Sequence, residues 1–205
     1  GQELTDYPWF YLDLSFRPAS ASYALQGQNP LFTRANRDAV TCILNETYDR
    51  NYAALNLARA FFPKSGEPLD IEDLKVTIVP SYQTKKGFLI TCDGLTLFWL
   101  AGLSDDYLSS KNDDRAVDFV KEHADSVDLL FLGLPDGIGP EKGNMIREAY
   151  LKTRTLNPGA VFFMGKEPLA RRVHSQILRR IPDPGNIFCA ENPGDRVIYS
   201  RGTLK

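Results

Sequence analysis

The sequence predicts an α/β protein, and three observations carry that expectation. Short apolar, β-branched runs recur along the chain, an Asp-Gly pair separates two of them, and in the second half such runs alternate with segments whose apolar residues repeat at helical spacing. Strands alternating with helices indicate a sheet flanked by helices rather than a β-barrel or a helix bundle.

Taken in order, residues 10–16 (FYLDLSF) alternate apolar and polar side chains, residues 22–25 are a short apolar run, and Gly27-Gln28-Asn29-Pro30 is turn chemistry. An antiparallel opening is expected from these. Residues 40–44 (VTCIL) read as a buried strand, followed by the polar stretch 45–51. In residues 52–62 only Asn56 and Arg59 are polar, so a helix packed on a sheet is expected there. Residues 75–80 (KVTIVP), 87–92 (GFLITC) and 95–100 (LTLFWL) read as strands, the last two joined as a hairpin by Asp93-Gly94. Beyond them Ala116, Val117, Val120 and Ala124 share a helical face, and residues 127–132 are a strand. Ile146, Ala149, Tyr150 and Thr153 mark a second helix, residues 161–164 a strand, and Leu169, Val173 and Ile177 a third helical stripe. Residues 187–189 and 196–200 close the chain as short strands. With no repeat and no dividing linker, residues 1–205 are expected to form a single domain.

Composition narrows the function classes. With 43% hydrophobic and 24% charged residues the chain is an ordinary globular one, which argues against a disordered or fibrous class. Lys plus Arg number 24 against 26 Asp plus Glu, a net charge of -2, so no global field draws nucleic acid or an anionic membrane, and no nucleic-acid partner is expected. Cys42, Cys92 and Cys189 show no C-x-x-C spacing, which argues against a zinc knuckle and leaves one bridge open. No apolar run approaches a membrane span, and a soluble protein is expected. Gly1 in place of Met reads as a processing scar, which leaves a removed export signal open.

Strand, polar stretch and apolar helix, then a strand ending in Val79-Pro80, then a hairpin ending in Ala101-Gly102, is an order that resembles the metallo-β-lactamase fold and its simple metal-dependent hydrolases. Val79-Pro80-Ser81-Tyr82-Gln83, Gly87-Phe88-Leu89-Ile90, Asp93-Gly94 and Ala101-Gly102-Leu103 match the second half of that pattern. Residues 38–44 stand where the family has the strand leading into its H-x-H-x-D-H motif, here Asn45-Glu46-Thr47-Tyr48-Asp49-Arg50. Residues 157–164 resemble the strand before the last family histidine, where Gly165 sits. The resemblance covers about residues 22–164, lies in the order of elements more than in identities, and implies a four-layered αββα sandwich.

Family members hold one or two metal ions through His and Asp, and the metal-activated hydroxide attacks an ester, amide, thioester or phosphodiester. Carried over position by position, the ligand set becomes Asn45, Thr47, Asp49 and Arg50, then Gln83 (Tyr82 if the alignment slips by one), Leu103 and Gly165. Of these only Asp49 keeps a ligand-type side chain, and the permanently cationic Arg50 beside it repels a divalent ion. The histidine count makes the same point independently of alignment. The chain has two, His123 and His174, both in expected helices, whereas such a site takes at least about three.

Further candidates have simple structural readings beside the functional ones. Lys85, with Lys86, extends a basic rim or is a solvated turn. Glu46, Asp105 and Asp106 would join Asp49 in an all-oxygen site for magnesium, calcium or manganese, or lie in water. Asp49 and Arg50 either line a pocket for a small carboxylate or phosphate or form a structural ion pair. Asn45-Glu46-Thr47 is also a glycosylation sequon. The glycine-rich residues 133–140 lack the spacing of a phosphate loop, there is no G-x-S-x-G, and the cysteines fall in apolar strands. Arg171, Arg172, Arg179 and Arg180 give one helix a basic face.

The reading that results is a non-catalytic metallo-β-lactamase-like protein, a pseudoenzyme with a degenerate metal site, binding a small anionic ligand or a protein partner at the former cleft. Two alternatives stay open. One is a divergent ester or phosphodiester hydrolase with an atypical or absent metal site. The other is a structural or assembly module docking through Trp9, Phe10 and Tyr11 or through the basic helix. No cofactor is expected under the first reading, and zinc, manganese or another divalent metal belongs to the hydrolase alternative.

Overall fold

The apolar runs become strands in both halves of the chain. The structure, a computed structural model, describes residues 9–13, 40–44, 59–61, 63–71, 73–80, 87–100, 111–133, 147, 150–164, 171–172, 174–175, 179, 181, 185–189, 197–200 and 203–204. The chain divides into two compact units, Gly1–Glu67 and Pro68–Lys205.

The first unit holds β1 (Trp9–Asp13), β2 (Val40–Leu44) and β3 (Arg59–Phe61) in one sheet of order β1-β2-β3. All pairs are parallel, with Trp9 opposite Val40, Asp13 opposite Leu44 and Ile43 opposite Phe61. Two expectations change here. β1 takes β2 as a parallel partner instead of opening an antiparallel meander, and residues 22–25, the other half of that reading, lie outside the described residues. Of the helix expected over 52–62, residues 59–61 are a strand, and the others lie outside the described residues. A mostly apolar run suits a strand as well as a helix.

The second unit is organised around a tight turn. After β4 (Pro68–Ile71) and β5 (Leu74–Val79) come β6 (Gly87–Cys92) and β7 (Leu95–Leu100), with Cys92 paired to Leu95. Asp93 and Gly94 between them have φ of 50° and 73°, the left-handed pair that a type I′ turn demands and that Asp-Gly tolerates best. β4 to β7 form an antiparallel meander. From β7 onward the sheet is parallel. The helix α1 (Lys111–His123) lies between β7 and β8 (Leu129–Gly133), and helical residues 150–153 and a 3-10 turn, Arg154–Leu156, precede β9 (Ala160–Met164). β10 (Ile187–Phe188) completes a mixed sheet of order β10-β9-β8-β7-β6-β5-β4. β11 (Tyr199–Ser200) and β12 (Thr203–Leu204) pair as a separate two-stranded sheet.

Both faces of the seven-stranded sheet are apolar. On one, Ala116, Val117 and Val120 of α1 pack against Phe98, Leu100, Leu130 and Leu132, all 4% exposed or less. Burying a side chain as large as Phe98 contributes about 2–3 kcal/mol. On the other face the register aligns Phe88, Trp99, Phe131, Phe162 and Phe188 in one row across five strands. Neighbouring rings lie 5.8 Å (Phe88 to Trp99), 5.1 Å (Phe131 to Phe162) and 5.3 Å (Phe162 to Phe188) apart. Val76 and Ile78 share that face and are fully buried. Strands covered on two sides read as near-continuous apolar runs, which is why GFLITC and LTLFWL show no clean alternation. No helix among the described residues is long and apolar enough to cross a membrane.

Candidate functional site

Strand ends decide where chemistry can gather. Val79, Gly87, Leu100, Leu132 and Phe163 form a single row across β5, β6, β7, β8 and β9. With strands about 4.8 Å apart this row spans about 19 Å. It lies at the exit end of the sheet, where β5, β7, β8 and β9 release the chain and β6 takes it back. The connections that leave here are 81–86, 101–110, 134 onward and 165 onward, and in mixed and parallel α/β sheets this is the end that carries ligands.

All twelve residues singled out from the sequence lie outside the described residues: Asn45, Glu46, Thr47, Asp49, Arg50, Tyr82, Gln83, Lys85, Leu103, Asp105, Asp106 and Gly165. Their attachment points are described. Tyr82, Gln83 and Lys85 belong to the connection between Pro80 and Gly87, Leu103, Asp105 and Asp106 to the one that follows Leu100, and Gly165 directly follows Met164. In the first unit Asn45 directly follows Leu44, the last residue of β2.

Pro80 and the α1 residues Asp114, Arg115, Asp118, Phe119 and Glu122 line a groove of about 450 Å³. Asp114 is held by Lys152 at 3.1 Å. Three carboxylates against one guanidinium make this lining net acidic, so it does not suit an anion. His123 lies at the far end of α1. As the crossover between two parallel strands, α1 returns from the exit end of β7 to the entry end of β8, and its 13 residues cover about 20 Å. The exposed His123 donates from Nδ1 to the Phe119 carbonyl at 2.8 Å and stacks on that ring at 3.9 Å. It thus bonds a carbonyl in the last turn of its own helix. His174 is helical and half-buried.

At the entry end the structure shows a bonded centre that the sequence reading missed. Asp128, 8% exposed, accepts the Thr96 N–H at Oδ2 (2.8 Å) and the Tyr199 hydroxyl at Oδ1 (3.3 Å). Its own N–H donates to the Thr96 carbonyl at 2.8 Å, and its carbonyl accepts from the Ala160 N–H at 2.9 Å. The available signal was a lone aspartate inside the apolar run 127–132. Near this end burial, reinforced by the Asp93 and Asp73 carboxylates, pushes the Cys92 thiol above its ordinary value. A thiol held neutral is a poor nucleophile. Cys92 and Cys189 are both unbridged and half-buried.

No protein-family model matches the chain, and no curated protein matches its sequence. Its fold is similar to solved structures. A mutant of the CmlA beta-hydroxylase superposes with a TM-score of 0.49 at 14% identity, over 76% of this chain and 39% of that one. The metallo-beta-lactamase fold protein YhfI from Bacillus subtilis gives 0.48 at 11% identity, over 89% and 75%. The short form of human tRNase Z gives 0.40 at 15% identity, over 80% and 62%. The chain thus spans about two fifths of the length of the beta-hydroxylase. Likeness to the metallo-β-lactamase fold, read first from the order of elements, is found again among these structures.

On the alignment read from the sequence, the donor set expected at the family's ligand positions does not suit a divalent ion. Asn45, Thr47 and Gln83 are neutral and weak ligands, Leu103 and Gly165 offer no side-chain donor, and Arg50 is a cation. Among the described residues no three His, Cys, Asp or Glu side chains gather as metal ligands do.

Proposed function

We propose that this chain is a non-catalytic metallo-β-lactamase-like protein whose former metal centre, at the exit end of the seven-stranded sheet, serves as a cleft for a small anionic ligand. The observation that carries the reading is the row Val79–Gly87–Leu100–Leu132–Phe163. It supports placing the connections bearing Gln83, Leu103 and Gly165 together at one end, while α1 carries His123 to the other. Gln83, Leu103 and Gly165 give that end neither a carboxylate nor an imidazole at the family's ligand positions, and Lys85 and Lys86 supply the positive charge an anion requires.

The reading includes a four-layered αββα sandwich and a single domain over residues 1–205. Its support is that the seven-stranded sheet is apolar on both faces, and a sheet of that kind needs a layer on each.

Metal content of the chain purified without chelator tests the proposal. Well below roughly 0.1 ion per chain is expected. Zinc, manganese or iron near one per chain would sink the reading and restore the hydrolase alternative.

A further inference from the structure

We draw no further inference here: the strongest candidate, the groove of about 450 Å³ lined by Pro80 and α1, carries nothing because its charged lining is a cluster of exposed acidic side chains, with Asp114 already paired to Lys152, and nothing in the structure shows what covers it.

Discussion

At the entry end of the seven-stranded sheet Asp128 ties β7, β9 and the C-terminal hairpin together through contacts of 2.8 to 3.3 Å, whereas at the exit end four strands release the chain into connections that hold every candidate residue of the second unit. One end is organised by backbone and side-chain bonds that fix strand positions. Among the described residues the other presents strand termini in register. The bonds of Asp128 involve none of the candidate residues, so a change of side chain in the exit connections leaves them in place.

The comparison yields three expectations of decreasing size. Phe98→Ala, midway between the ends and beneath α1, should cost about 3–5 kcal/mol and lower the denaturant midpoint for probes at both ends together. Unequal loss at the two ends would mean the sheet does not melt as one unit. Asp128→Ala should cost about 2 kcal/mol, since it strands the part-buried Thr96 N–H and removes the acceptor of the Tyr199 hydroxyl, and urea unfolding checks this. Gln83→Ala and Leu103→Ala should each move stability by no more than about 0.5 kcal/mol. A cost above about 2 kcal/mol for either would place structural weight at the exit end and erase the contrast.

Sequence patterning anticipated the sheet well where local chemistry was decisive. Asp93-Gly94 announced its hairpin, and the stripe Ala116, Val117, Val120 announced the helix face that is in fact buried. Residues 59–61 were misread because a run with only two polar residues carries too little period to separate helix from strand. β4 escaped notice because its four residues open on Pro68, which demotes a strand reading, and β12 because two residues are too few for any pattern. The candidate site came from the order of elements and residue types. Asp128 was missed for a different reason: its bonds join positions 32 and 71 residues apart, a relation that no local window contains.

The meander and the parallel strands also differ in when they can form. Cys92 meets Leu95 across two residues, but Leu97 meets Leu129 only after some thirty residues of chain have been drawn in. The longer closure costs roughly 2 kcal/mol more in chain entropy. Loop closure alone therefore favours forming the β6–β7 hairpin before the β7–β8 pair, which would then align on it.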